Sequence, residues 1–201
     1  MLFLCCFLVV PNYFCYDNPA SLETYIENKL DKTAAEYGLL YSVYAIPNCI
    51  MPMLGGLLLD KIGHRLGLII FTTLLCTGQG VFMAGGYQND FRMMIIGRGI
   101  FGMGCESMYV GQAAVISKWF INYELPLAIA MLSCIPLCGS FIGGAVVPYI
   151  YEKNESFGDA FRFGFILCLG AFCIVMIRTV LDYKTEKHDA ELLERFVEEK
   201  R

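Results

Sequence analysis

The sequence predicts an all-α membrane protein with six transmembrane helices. Three observations carry that class. The chain is 57% hydrophobic and only 17% charged, with a mean hydropathy of +0.55; an ordinary soluble domain carries about 25% charged residues. The apolar residues fall in long runs separated by short polar turns. One of those turns is diagnostic: an apolar run ends at Leu59, Asp60, Lys61, His64 and Arg65 follow within a few residues, and a second run starts at Leu66. Two membrane helices joined so tightly form a hairpin, and the basic turn belongs at the cytoplasmic face. The net charge of −4 gives no attraction for a nucleic acid, which is excluded as a partner.

The first helix is read over about residues 1–15, apolar from the start and short of the about 20 residues of a full span. It has neither the basic start nor the small-residue cleavage site of a signal peptide, so it reads as a first helix with its beginning clipped. The stretch Tyr16 to Glu36 is polar and acidic and belongs on the face away from the cytosol. The second helix, about 37–59, contains Pro47 and Pro52, which mark bends that neighbouring helices accommodate in a bundle. Gly55 and Gly56 close it with small side chains. Gly63 suits the positive φ of a tight reversal, and Asp60 is placed to pair with Arg65 or to cap a neighbouring helix.

The third helix is expected over about 66–83 and the fourth over about 92–116. Gly97, Gly104 and Gly111 recur every seven residues on the fourth, a drift of only about 20° per step, so they form one stripe for close helix contact. Lys118-Trp119-Phe120 then places a basic residue and an aromatic anchor at a membrane boundary. The fifth helix, about 125–149, carries Pro136 and Gly139-x-x-x-Gly143-Gly144, signals of a bend and of close packing. The sixth is read over about 161–181. Between them Asn154-Glu155-Ser156 is an N-glycosylation sequon, usable only on the lumenal or extracellular side.

Orientation rests on the sequon and the hairpin together. Lys61, Arg65, Lys118, Arg178, Lys184 and Lys187 fall on the hairpin side, and Lys29, Lys32, Arg92, Lys153 and Arg162 on the other, a bias too small to decide. The reading puts both termini inside and residues 16–36 and 152–160 outside. Residues 1–182 thus form one transmembrane unit. Residues 183–201 read as a cytosolic amphipathic tail or the start of a linker, with Leu192, Leu193, Phe196 and Val197 on one face.

Most of the ten cysteines lie within apolar runs, where Cys acts as a small hydrophobe, and no metal-ligand spacing is present. No metal or other cofactor is expected. Nor does an enzyme fit: His64 and His188 lie in a turn and a tail, without a nucleophile–base arrangement. The chemistry-bearing residues are instead charges at membrane depth, which are costly and mark functional positions. Glu106 lies near the centre of the fourth helix, and its acid can exchange a proton or bind an ammonium group. Arg98, eight residues earlier, is displaced by about 12 Å and about 80° around the helix, so the two can line one cavity at different depths. Tyr41, Tyr44 and Asn48 share one face of the second helix, and Tyr109 and Gln112 add polar groups on the fourth.

Gly56-x-x-x-Asp60-Lys61-x-Gly63-x-Arg65 resembles the loop signature of the major facilitator superfamily, and Arg98-x-x-x-Gly102-x-Gly104 its fourth-helix motif. Phe14-Cys15-Tyr16-Asp17-Asn18-Pro19-Ala20, Tyr41-x-x-Tyr44-x-x-Pro47-Asn48 and Gly102-x-Gly104-x-Glu106-Ser107 are more specific. They resemble the domain-containing protein 1 branch, the lysosomal dipeptide uniporters, from about residue 8 to 150. The resemblance implies the N-terminal lobe of a twelve-helix transporter in a lysosomal or other endomembrane, with the plasma membrane also open. By that likeness Glu106 meets a substrate amino group and Gly56, Asp60, Lys61, Gly63 and Arg65 form a gating latch. The implied partners are the lipid bilayer, a small-molecule substrate, and a C-terminal lobe, a second copy or a lysosomal accessory glycoprotein. One departure stands out: relatives carry a fifth-helix arginine suited to a substrate carboxylate, whereas Leu125–Tyr149 is uncharged. A non-transporting subunit derived from a transporter half, or a transporter of another small organic solute, are the alternatives.

Overall fold

A computed structural model describes the backbone of residues 2–199 and the side chains of residues 2–182. Among the described residues every regular element is helical. They are α1 (Leu2–Asp17), a 3-10 turn (Ala20–Leu22), α2 (Glu23–Leu30), α3 (Ala34–Ile62), α4 (His64–Gln88), α5 (Phe91–Trp119), α6 (Glu124–Cys134), α7 (Leu137–Asn154) and α8 (Phe157–Glu199). Counting α6 and α7 as one bent rod gives a six-helix bundle. Among the described residues four segments are long and apolar enough to cross a membrane: Ala34–Ile62, His64–Gln88, Glu124–Asn154 and Phe157–Asp182. The other two rods are α1, at 16 residues, and α5, which carries Arg98 and Glu106 in its interior.

Helix ends lie farther into the polar flanks than the apolar runs suggest, because capping rather than hydrophobicity sets them. Thr33 and Glu36 form a reciprocal capping box that starts α3 at Ala34 instead of residue 37. The Asp90 carboxylate accepts from the Arg92 and Met93 amides and starts α5. Asp31, Asn89 and Glu155 take left-handed conformations that close α2, α4 and α7. The fifth sequence-predicted helix is interrupted at Ile135–Pro136, where a missing amide hydrogen breaks the ladder. Pro47 and Pro52, by contrast, leave α3 continuous. The polar stretch 16–36 holds the additional helix α2. The backbone of α8 passes through the boundary drawn at 182–183; the side chains of the expected amphipathic tail lie outside the described residues.

The packing is built on α5, which touches α1, α3, α4 and α6. Glycines on two of its faces allow that. A Cβ on Gly97 would lie 2.5 Å from the Phe82 amide nitrogen, and one on Gly104 would lie 2.7 Å from the Phe71 carbonyl, both on α4. Gly78 of α4 reciprocates against the Phe101 backbone, and Gly102 faces the Tyr44 carbonyl of α3 at 2.5 Å. Close backbone approach of this kind is how membrane helices gain contact without a hydrophobic driving force between them. On the other side of the bundle Gly139 brings α7 against the Val10 carbonyl of α1. At the end remote from the α3–α4 hairpin, Lys29 of α2 donates to the Glu155 carbonyl at 2.5 Å and Tyr25 to Glu152 at 3.2 Å. These bonds lay α2 over the α7–α8 turn.

Candidate functional site

The α1, α3 and α5 helices converge on an open cavity of about 150 Å³, lined by Asn12, Tyr13, Tyr16, Tyr44, Asn48, Cys105 and Glu106. The α3 and α5 helices supply their polar groups from the middle of apolar stretches, and α1 supplies Asn12, Tyr13 and Tyr16 from its last turns. Asn12 is fully buried and donates to the Cys105 carbonyl at 3.2 Å, fastening α1 to α5 at the cavity wall. Asn48 donates to the Tyr44 hydroxyl at 3.2 Å, one helical turn apart. The amide oxygens of Asn12 and Asn48 have no hydrogen-bond partner among the described residues. Among those residues nothing hydrogen-bonds or ion-pairs with the half-buried Glu106 carboxylate. The Asn12 and Asn48 amide oxygens are themselves enclosed, so the wall offers the Glu106 carboxylate and tyrosine hydroxyls as acceptors for a small cationic or amine-bearing molecule.

The expected site residues separate into three groups. Tyr44, Asn48 and Glu106 line the cavity together. Arg98 and Tyr41 lie behind it. Arg98 is buried to 2% exposure; it donates to the Tyr16 carbonyl at 3.1 Å, and its guanidinium carbon stands 4.6 Å from the Phe82 ring centre and 5.9 Å from that of Tyr41. Tyr41 packs edge-on to Tyr16, centroids 5.7 Å apart. Tyr109 and Gln112 face elsewhere. The Tyr109 hydroxyl pairs with Ser133 of α6 at 2.9 Å, and Gln112 accepts from Arg178 of α8 at 3.3 Å.

The fold and the motif-bearing hairpin direct attention to known proteins. Residues 2–198 match the Major Facilitator Superfamily. The chain belongs to that superfamily. It is 34% identical over 197 residues to the lysosomal dipeptide transporter MFSD1 of Mus musculus and of Homo sapiens, covering 93% of this chain and 42% of each relative. To the Danio rerio protein of that name it is 37% identical over 162 residues, 80% of this chain and 35% of the relative. The quinolone resistance protein NorA of Staphylococcus aureus is 24% identical over 155 residues, 77% of this chain and 38% of that protein. The chain thus spans about two fifths of the length of the MFSD1 relatives. It is a multi-pass membrane protein of the superfamily's all-helical type.

In this superfamily member Gly55–Gly67 spans the end of α3, the turn at Gly63 and the start of α4. Gly63 adopts φ +83°, a conformation side-chain-bearing residues rarely take, and its amide donates to the Leu59 carbonyl at 2.9 Å. Arg65 reaches α8 and donates to the Asp182 carbonyl at 2.8 Å. Asp60, Lys61 and Gly63 are exposed, and Gly56 has open space around it. Asn154 is exposed at the end of α7.

Sequence reasoning did not assign Asn12, Tyr13, Tyr16 or Cys105 to the site. Asn12 carried a signal: it is a polar residue inside an apolar run, where membrane helices hold polar groups toward the bundle. Tyr16 lies within the quoted family motif. Tyr13 and Cys105 had none, since both residue types occur on any face of a membrane helix.

Proposed function

We propose that this chain forms one lobe of a membrane transporter for small organic solutes, with dipeptides or amino-acid-like molecules the favoured class. The observation that carries the reading is the cavity in which Glu106 stands with Tyr44, Asn48 and Asn12. The carboxylate meets the substrate's ammonium group, and the phenol oxygens receive its remaining N–H donors. Substrate binds near the midplane and the two lobes rock around it, exposing the site to each face in turn. The second lobe comes from a C-terminal segment, a second copy or another chain. Residues Gly56, Asp60, Lys61, Gly63 and Arg65 latch the cytoplasmic side, and Arg98 sustains the site from behind. Tyr109 and Gln112 act through the helices that they hold. The names of the MFSD1 relatives favour a lysosomal membrane and dipeptide cargo. A lysosomal accessory glycoprotein is a candidate partner.

Large apolar side chains exposed on α3 and α7, such as Met53 at 73% and Phe141 at 83%, suit contact with lipid or with a second lobe. The uncharged segment Leu125–Tyr149 favours a second reading, a non-transporting subunit, because a substrate carboxylate finds no cation there. A third reading is transport of another small organic solute; Arg98, buried behind the cavity on the Tyr16 carbonyl, is not placed to meet an anion there.

The test is uptake of a radiolabelled dipeptide into liposomes holding the longest natural product of this chain. Glu106→Gln should lower uptake by at least roughly tenfold, the loss expected for one charge-assisted bond. N-acetylation of the competing dipeptide should abolish competition. Uptake that is absent in the wild type while a second lobe is present would reject dipeptide transport and leave the subunit reading. Equal competition by the acetylated peptide would reject Glu106 as the ammonium site.

A further inference from the structure

At the hairpin end of the bundle, away from the cavity above, α4, α5 and α8 enclose a second open cavity of about 970 Å³. Among the described residues its charged lining is predominantly basic: Arg65, which opens α4 and donates to the Asp182 carbonyl, Lys118, which closes α5, and Arg178 near the boundary of the apolar part of α8, with Asp182 the acid among them. We propose that this cavity holds the phosphate-bearing headgroup of an anionic phospholipid from the leaflet at the hairpin end. The site is independent of what is transported; it requires only that the hairpin end lie at a membrane boundary.

Charge selects an anion. Arg178 lines the cavity and is only 8% exposed, so little solvent screens its charge. Its Nη1 is spent on Gln112 at 3.3 Å and its Nε lies 3.7 Å from Asp182, a distance at which the ion pair is loose. The N-terminus of the 25-residue helix α4 opens at the same place, and its N-cap residue is Gly63, which offers no side chain to the first-turn amides. The positive end of its dipole adds to the basic lining.

Shape selects a lipid over a free anion. The cavity has a polar mouth and an apolar floor of Leu68, Val115 and Val175, matching the passage from headgroup to acyl chain. Trp119 stands at the rim with 63% of its surface exposed, the disposition of aromatic residues at headgroup depth. Basic recesses between membrane helices near the cytoplasmic surface have this chemistry. The volume lies at the upper end of the range for ligand cavities, about 300–1,000 Å³.

The test uses the full natural product purified in mild detergent, with its thermal melting followed during titration with a short-chain phosphatidylinositol phosphate. A saturable rise in melting temperature is expected, with no rise for short-chain phosphatidylcholine. Lys118 is exposed, so Lys118→Gln should leave melting without lipid unchanged while weakening the apparent affinity about fivefold, the factor for losing one basic group near anionic lipid. An equal response to phosphatidylcholine would overturn the proposal, as would wild-type affinity in both Lys118→Gln and Arg178→Gln. If inorganic phosphate alone reproduces the rise, the cavity binds the free anion and the lipid assignment fails.

Discussion

Arg98 of α5 donates to the main-chain carbonyl of Tyr16 at 3.1 Å, and Tyr16 lies in the last turn of α1. Carbonyls there have no helical amide to accept from, and a cation beside them also meets the negative end of the helix dipole. Arg98 therefore acts as a remote cap for α1. It holds the backbone of Tyr16, whose ring lies against Tyr44 in the cavity wall, centroids 4.9 Å apart. Replacing Arg98 with Met keeps much of the side chain's bulk but removes the donor. The loss expected is about 1–3 kcal/mol, the cost of leaving a buried acceptor unpaired, read as a lower melting temperature in detergent. A variant melting like the wild type would show that the cap contributes nothing.

Neighbouring glycines in α3 should respond oppositely to the same change. A Cβ on Gly55 would stand 2.7 Å from the Ser107 hydroxyl and 3.2 Å from the Phe71 ring, whereas Gly56 has nothing within 4 Å. Gly55→Ala must push Ser107 away from its bond to the Met51 carbonyl, 3.0 Å, and should destabilise the bundle. Gly56→Ala should be neutral or stabilise by up to about 1 kcal/mol through helix propensity. Thermal melts of the two variants decide it; a similar loss in both would contradict this packing.

These contrasts mark how far the sequence could be read. The hairpin was legible because charge, glycine and apolar runs change within thirteen residues. The Gly97, Gly104 and Gly111 stripe was legible because period seven nearly matches the helix; the structure sets Gly97 and Gly104 on the α4 backbone and Gly111 on the Leu68 side chain. The α2 helix was missed, being eight residues long and anchored by Lys29 and Tyr25 on a distant turn rather than by its own pattern. Four of the seven cavity-lining residues were missed for a different reason. A soluble helix announces its inner face by hydrophobicity, but a membrane helix is apolar on both faces. The direction in which Arg98 and Gln112 point was therefore decided by α1 and α8, whose relative placement no local spacing reveals.

Within the cavity wall, Tyr44→Phe removes the hydroxyl that accepts from Asn48 and keeps the ring against Tyr16 and Phe101. The freed Asn48 amide then points into the cavity without its fixed orientation. The expected outcome is a rise in the KM for dipeptide uptake of about 2–10-fold, the worth of one neutral hydrogen bond, with protein abundance and melting close to wild type. A fall in melting temperature with unchanged KM would make the Tyr44–Asn48 pair purely structural.

The sequon at the α7–α8 turn separates modification from folding. Asn154 is exposed, while the Ser156 hydroxyl accepts from the Asp159 amide at 3.3 Å, the position of an N-cap at the start of α8. Asn154→Gln removes only the glycan acceptor. Ser156→Ala removes both the sequon and the cap, which should cost about 1 kcal/mol. Ser156→Thr keeps both functions. In cells, the first two variants should migrate like the glycosidase-treated wild type and the third like the untreated protein, while only Ser156→Ala should melt lower once all are deglycosylated. Unchanged migration of Asn154→Gln would mean that the sequon is unused, and the outward orientation of this turn would lose its support. Equal melting of Ser156→Ala and Asn154→Gln would remove Ser156 from the start of α8.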